Sequence, residues 1–294
     1  MVNALSHKAV LANLTFESWG TKRHDDEATE ETLTRKGAEK HAGLFTKRLL
    51  NKKAMQGIRS VRNAARKYHK AKTSPWLDDG TRILPTIFYG DYSTQMSKFK
   101  SEFEQAVSEF IKEYPQYIKQ ARKELGGLFN DQDYPQVGLI KSKFSFDVVI
   151  LPYPDTQDFR VNMDDDDMKE IKRDLEKRLE AQVKETVKNV AERLNGVIGH
   201  MANKLKEYKS GNKERGIKAK NTFRDSLVGN VQELADLIQG LNMTDDPKLE
   251  AIRKKVVKDL CSVKPEDLRE DEIVRKKVLT SANQILKDVS SFIM

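Results

Sequence analysis

Residues 168–208 read MKEIKRDLEKRLEAQVKETVKNVAERLNGVIGHMANKLKEY and form the longest regular pattern of the chain. Apolar side chains recur in this stretch every three or four residues, from Met168 to Tyr208, with a mean spacing of about 3.6 residues. This spacing is the period of a straight amphipathic α-helix rather than that of a supercoiled seam. At a rise of roughly 1.5 Å per residue, the stretch predicts one helix about 60 Å long.

Three shorter helical patterns follow, at about residues 221–241, 247–260 and 265–293. The second of them has a strong start signal, because Asp245-Asp246 precedes Pro247 at the first helical position. Residues 166–294 are therefore predicted to be a helical bundle or stalk. We expect three short helices to leave part of the long apolar stripe uncovered, and exposed apolar surface usually marks an interface. The sequence thus predicts that the chain forms homo-oligomers through residues 165–294.

Strand patterns lie upstream of the long helix. Val10, Ala12, Leu14 and Phe16 alternate with other residues, which is typical of a strand with one buried face. Residues 143–151 are rich in β-branched and aromatic side chains and predict a second strand, and residues 158–163 suggest a third short one. These strands come from distant parts of the chain, so they predict a small sheet covered by helices.

Helical spacing connects the strands, and it predicts a helix that runs to about Thr73 and another that begins near Asp91. We expect a kink or a break in the second helix at Pro115. Residues 1–165 are therefore predicted to be an α+β domain with a basic helix at about residues 43–73. The fold class of the whole chain is predicted to be α+β and predominantly α-helical.

The composition narrows the classes of protein to consider. The 294 residues carry 53 Lys and Arg against 45 Asp and Glu, a formal net charge of +8. No apolar run approaches the length of a membrane span, and the start from Met1 to Phe16 lacks the pattern of a secretory signal. The lone cysteine, Cys261, excludes an internal disulfide and fits a reducing compartment. We therefore expect a soluble, cytoplasmic protein with no membrane partner.

The basic excess is concentrated near the N-terminus. Between Lys47 and Lys72 there are ten basic residues and no acidic residue. On a helical wheel drawn over the predicted basic helix, six of them fall within an arc of about 80° beside an apolar face. These six, which we call the basic ridge, are Arg48, Lys52, Arg59, Arg62, Arg66 and Lys70.

A cationic ridge without acidic neighbours repels itself, and phosphate groups would relieve that repulsion. Four of its six members are arginines, which suit bidentate contact with phosphate. The sequence therefore predicts a nonenzymatic, nucleic-acid-associated protein whose ridge contacts the phosphate backbone, with DNA favoured over RNA. Three alternatives stay open: the ridge docks an acidic protein partner, as in an adaptor; it meets acidic residues of the C-terminal half; or it is merely a solvated face.

Other chemistry-bearing motifs are weak. The run Asp164–Asp167 could attract a divalent cation, but it directly precedes the long helix and lacks the spacing of an EF-hand loop. We predict that these carboxylates cap the helix and complement its dipole. The five histidines show no ligand spacing, and there is no phosphate-binding or dinucleotide-binding glycine motif. We therefore predict no catalytic residue, no metal site and no cofactor, with an unrecognised active site as the remaining alternative.

Several short motifs within about residues 8–165 resemble an uncharacterised family of proteins carried by bacteriophages and by integrating or conjugative elements. The motifs are Asn13-Leu14-Thr15, the turn from Pro75 to Pro85, Leu128–Asp131, Tyr134-Pro135, Lys143–Phe146, Pro152 and Asp158-Phe159-Arg160. Genes of that family lie near those of a MoxR-type AAA+ ATPase and a von Willebrand-type adaptor, or near recombination genes. The resemblance implies a role in phage or mobile-element DNA metabolism, with an AAA+ ATPase as a partner, and it implies no catalytic residues.

Overall fold

The computed structural model describes residues 7–76, 80–154, 165–211 and 218–293. Helices dominate these residues and one small sheet accompanies them, which confirms the predicted α+β, predominantly helical class. The helices are α1 (Asp26–Lys36), α2 (Gln56–Lys72), α3 (Tyr89–Leu125), α4 (Val137–Ile140), α5 (Asp165–Glu207), α6 (Ser226–Leu241), α7 (Pro247–Val256), α8 (Pro265–Glu270) and α9 (Glu272–Ser290).

The strands form two separate sheets. They are β1 (Ala9–Glu17), β2 (Lys22–His24), β3 (Thr46–Arg48), β4 (Ser74–Pro75), β5 (Arg82–Pro85) and β6 (Ser145–Pro152). The larger sheet has the order β4-β5-β1-β6, and β1 pairs antiparallel with β5 from Ala9 opposite Pro85 to Ala12 opposite Arg82. The smaller sheet is an antiparallel ribbon of β2 and β3.

The chain divides into two compact units. The first unit comprises residues 1–12, 70–90 and 150–294, and the second comprises residues 13–69 and 91–149. Their limits differ from the predicted boundary at residue 165, because the first unit adds two N-terminal segments to the helical half of the chain. Whether residues 166–294 fold on their own stays a prediction.

In the first unit, α5 packs its apolar face against α6 and α9. Leu194, Ile198 and Met201 of α5 are each at most 1% exposed. Within the described chain most of the stripe is covered: part of it is only half-buried, and its buried members are Leu179, Val190, Leu194, Met201, Leu205 and Tyr208. The homo-oligomer through residues 165–294 stays a prediction.

The second unit has an aromatic core along α3. Phe103 and Tyr114 of α3 are buried, the Phe16 ring meets Phe146 edge-on at 4.7 Å, and Trp19 meets Tyr114 edge-on at 5.7 Å. The helix continues from Tyr89 to Leu125 with Pro115 inside it, so the proline does not end the helix as the sequence allowed. Burial of such rings contributes most of the stability of a small core.

The strand predictions have mixed outcomes. The patterns at residues 10–16 and 143–151 are confirmed by β1 and β6. The suggested strand at residues 158–163 lies outside the described residues. The larger sheet also includes β5, which ends at Pro85 and forms in a segment that reads as a turn because of Pro75, Gly80 and Pro85.

The basic helix begins later than predicted. Residues 46–48 are strand β3, and α2 starts only at Gln56. Between them the side chain of Asn51 accepts hydrogen bonds from the backbone amides of Lys53, at 2.9 Å, and Ala54, at 3.0 Å. Bonds from amides two and three residues on start a new turn at Asn51, which is separate from strand β3, so the predicted helix over residues 43–73 is wrong in its first part.

Candidate nucleic-acid interface

Because α2 starts later than predicted, the six residues of the basic ridge do not all lie on one helix. Arg59, Arg62, Arg66 and Lys70 lie on α2, whereas Arg48 lies on β3 and Lys52 lies in the turn before the helix. Lys70 belongs to the first unit, and the other five residues belong to the second. We therefore describe the interface within the second unit and keep Lys70 separate.

Arg59 links the turn to the helix. Its guanidinium donates through Nη2 to the backbone carbonyl of Lys52 and through Nε to the carbonyl of Met55, at 3.2 Å. These bonds hold the cation against the turn, and Lys52 itself is exposed. Arg59 and Lys52 thus both contribute positive charge at the start of α2.

Arg62 is the most unusual residue of the ridge. It is partly buried, and its Nε atom is buried without a hydrogen-bond partner in the described chain. Burial, followed by the neighbouring charges of Arg66 and Arg59, lowers the pKa of the Arg62 guanidinium. A buried donor that lacks an acceptor is costly, so the position of Arg62 is energetically unfavourable in the free protein.

Arg66 lies over an aromatic ring. Its guanidinium carbon is 5.3 Å from the centroid of the Phe16 ring, within the range of a cation–π contact. Such a contact uses the face of the guanidinium and leaves its N–H edge for other partners. Because Arg66 is exposed, that edge is open to a bound anion.

The three arginines occupy one side of α2 without acidic neighbours. Within the described parts of the chain, Arg59, Arg62 and Arg66 form no ion pair with any carboxylate. From Arg59 to Arg66 the helix rises about 10 Å. The side chains therefore make a short row of guanidinium groups, of which Arg59 is held by backbone carbonyls and Arg66 by the Phe16 ring.

One of the ten basic residues is neutralised by the chain itself. Lys47 is 7% exposed, and its Nζ atom lies 2.7 Å from Oδ2 of Asp25 and 2.9 Å from Oδ2 of Asp133. It also donates to the carbonyl of Leu128 at 2.9 Å. Lys47 is therefore structural, and the basic run is less uniform than the sequence suggests.

The strand pairing adds a residue that the sequence analysis missed. In the ribbon, Lys22 of β2 lies directly opposite Arg48 of β3, and both are exposed. The two residues are far apart in the sequence, and the only local signal is the short basic run Lys22-Arg23-His24. A helical wheel cannot detect this proximity, because it depends on a tertiary pairing of two three-residue strands.

The aspartates before the long helix are only partly described. Asp164 and the side chains of Asp165 and Asp167 lie outside the described residues. The carboxylate of Asp166 is 2.9 Å from Nζ of Lys169, one helical turn on. The described residues contain no group of three or more His, Cys, Asp or Glu that could hold a metal ion. The role of the cluster as a helix cap stays a prediction.

Comparison of the chain with protein-family models, with curated proteins and with solved structures found no match. Among the described residues, no helix combines the length and the apolar character that a membrane span requires. The candidate interface therefore rests on its own geometry and charge.

Proposed function

We propose that the protein binds the phosphate backbone of nucleic acid, with DNA favoured over RNA, and that it acts without catalysing a reaction. The arginine row of α2, which is Arg59, Arg62 and Arg66, makes the central contacts. The observation that carries this proposal is that Arg59, Arg62 and Arg66 stand together on α2 without a carboxylate partner among the described residues, and that Arg66 and Arg59 help to lower the pKa of the partly buried Arg62 guanidinium. Phosphate oxygens would accept hydrogen bonds from the accessible N–H groups of these guanidinium groups and offset the repulsion along the row.

The chemistry of the row favours phosphate over a single carboxylate. Guanidinium groups present a planar fork of donors that matches two oxygens of one phosphate, and three of them in a row match a repeating anion better than an isolated one. Neutralising each phosphate releases condensed counterions, which adds affinity at low salt. Contacts of this type carry no sequence information, so we expect binding to unrelated sequences with similar affinity.

The exposed cations Arg48 and Lys52 extend the positive surface of the second unit in this proposal. Lys70, which belongs to the first unit, is a further phosphate contact that the sequence predicts. The setting in phage or mobile-element DNA metabolism, an AAA+ ATPase partner and self-association through residues 165–294 belong to the same proposal. Their support is the sequence pattern and the family resemblance alone.

The proposal is tested by fluorescence anisotropy with a labelled duplex and a labelled single strand, each in two unrelated sequences. The wild type is compared with the variant Arg59→Gln/Arg62→Gln/Arg66→Gln. We expect the wild type to bind all four probes at low salt and the triple variant to bind each of them at least tenfold more weakly. Circular dichroism and thermal unfolding of both proteins show whether the variant keeps its fold.

A matched control removes the same charge elsewhere. Arg173, Lys177 and Arg178 are exposed on α5, and replacing all three with Gln lowers the net charge by the same amount. We expect this control to retain most of the wild-type affinity. If the wild type fails to bind any probe at low salt, the nucleic-acid proposal is wrong and the arginine row is a protein-docking face or a solvated one.

A further inference from the structure

The ribbon of β2 and β3 places two cations unusually close together. The amide of Leu49 donates to the carbonyl of Thr21 at 2.9 Å, and the amide of Asp25 donates to the carbonyl of Phe45 at 3.0 Å. In an antiparallel ladder, hydrogen-bonded and non-hydrogen-bonded pairs alternate. Lys22 and Arg48 are therefore a non-hydrogen-bonded pair, the type in which opposite side chains lie closest.

The opposite face of the same ribbon serves as an internal comparison. There Arg23 pairs with Lys47, and two carboxylates compensate them: Asp133 lies 3.3 Å from Nε of Arg23, and Asp25 and Asp133 both contact Lys47. The positive charges of Arg23 and Lys47 are thus compensated by carboxylates of the same unit.

The outer face lacks this compensation. Neither Lys22 nor Arg48 forms an ion pair within the described ranges of the chain. The nearby carboxylate of Asp26 lies 2.9 Å from Nε2 of His24 instead. Like charges directly opposite each other destabilise a strand pair. A ribbon that carries such a pair on its outer face gains stability when an anion binds there.

The outer face of the ribbon and the arginine row are joined by a short segment of the chain. Arg48 is four residues before Lys52, and the guanidinium of Arg59 is hydrogen-bonded to the Lys52 carbonyl. Arg62 and Arg66 follow on the next turns of α2. All of these residues belong to the second unit, so the ribbon, the turn and the helix carry positive charge within one compact body.

We propose that Lys22 and Arg48 form a second phosphate-binding point for the same nucleic acid, separate from the arginine row of α2. This inference rests on the proposed function, since it assumes a polyanionic ligand long enough to reach both points. The two cations close around one phosphate group, with Arg48 supplying a bidentate fork and Lys22 a point charge. The interface is then built from two elements, a ribbon and a helix, rather than from the helix alone.

The test compares the salt dependence of DNA binding in the wild type with that of the variant Lys22→Gln/Arg48→Gln. Loss of this one phosphate contact predicts a logarithmic salt slope less steep by about 0.7–0.9. The control Arg35→Gln/Lys36→Gln removes two exposed charges from α1 of the same unit, and we expect its slope to match the wild type.

A second variant separates binding from stability. Lys22→Glu places opposite charges across the ribbon, so we expect its melting temperature to rise above that of the wild type while its affinity for DNA falls at least tenfold. If Lys22 and Arg48 were merely structural, the Lys22→Glu protein would gain stability without losing affinity for DNA. A Lys22→Glu protein that binds as tightly as the wild type overturns the inference.

The two proposals fail in distinguishable ways. If the wild type binds DNA, Arg62→Gln weakens it, and Lys22→Gln/Arg48→Gln behaves like its control, the second point is wrong and the arginine row stands. If the wild type does not bind DNA at low salt, both proposals are wrong.

Discussion

The ammonium group of Lys47 lies 2.7 Å from a carboxylate oxygen of Asp25, and both side chains are largely buried in the second unit. The hydrogen bond from Lys47 is the main cause that lowers the pKa of Asp25 below its ordinary value of 3.8. Burial by itself would lower the pKa of Lys47, but hydrogen bonds to Asp25 and Asp133 raise it above its ordinary value of 10.5. The pair therefore stabilises the fold in its charged form.

The sign of the pH dependence follows from Asp25. Because its pKa is lower in the folded protein, the unfolded chain takes up the proton first as the pH falls, so the stabilisation is present above pH 3.8 and is lost below it. We expect Asp25→Asn to lower the free energy of unfolding by about 1–3 kcal/mol at pH 7. The difference from the wild type should shrink below pH 3.8.

Urea denaturation at several pH values measures this effect. Asp26→Asn is the control, because Asp26 is the next residue and its side chain is 96% exposed. Equal stability of Asp25→Asn and the wild type at pH 7 would show that the Lys47–Asp25 contact contributes nothing to the fold.

The lack of a side chain at Gly240 lets the ring of Phe88 pack closely against α6. A Cβ atom at position 240 would come within 2.6 Å of Cε2 of Phe88, closer than real contacts allow. We expect Gly240→Ala to destabilise the protein by about 1–3 kcal/mol through overpacking. Gly229 lies on the same helix, and a methyl group added there would meet no other atom within 4 Å, so Gly229→Ala should be neutral or stabilising by up to about 1 kcal/mol.

Thermal unfolding of the two alanine variants compares these effects directly. Adding Phe88→Leu to Gly240→Ala should recover part of the lost stability, because the smaller side chain makes room for the methyl group. Similar melting temperatures for Gly240→Ala and Gly229→Ala would rule out the close approach of Phe88.

Arg193 closes the C-terminal end of α2. Its guanidinium donates to the carbonyls of Lys70, at 2.9 Å, and Ala71, at 3.0 Å, and it also contacts the carbonyl of Thr73. The last carbonyls of a helix lack intrahelical partners, and a cation there complements the helix dipole. We expect Arg193→Met to cost roughly 1.5–3 kcal/mol of stability.

Arg178→Met is the matched control for this change, because Arg178 is exposed on the same helix α5. Chemical denaturation of both variants gives the comparison. Equal losses for the two would mean that Arg193 does not stabilise the end of α2.

The features that sequence analysis predicted are those with a local cause. The stripe from Met168 to Tyr208 predicted α5 almost to its ends, because helical periodicity is a property of neighbouring residues. The start of α7 is confirmed in the same way, since Asp246 accepts hydrogen bonds from the amides of Lys248, at 2.8 Å, and Leu249, at 3.2 Å.

The sequence predicts too early a start for α2, because buried residues of the preceding turn happen to stand at helical spacing. Leu50 and Ala54 are 3% and 7% exposed, and they stand at helical spacing before Ile58. Their burial comes from the turn that packs on the core and not from a helix. The hydrophobic pattern therefore extended the helix across a segment where Asn51 directs a turn.

In the candidate site, too, the sequence predicts local features and not those that depend on tertiary contacts. Charge counting identified Arg59, Arg62 and Arg66, because an excess of basic residues is visible in the sequence. It could not show that Arg62 lacks a partner or that Asp133 neutralises Lys47, since both depend on which residues the fold brings together. The pairing of Lys22 with Arg48 has the same origin.

The salt dependence of DNA binding tests the central claim most directly. Three phosphate contacts by the arginine row predict a logarithmic slope of at least about −2 to −3 for the wild type between roughly 50 and 200 mM salt. Arg62→Gln alone should make that slope less steep by about 0.7–0.9, with the same change on unrelated sequences. A wild type that does not retain DNA at the lowest salt, or a slope that Arg62→Gln leaves unchanged, would contradict the claim that the arginine row binds phosphate.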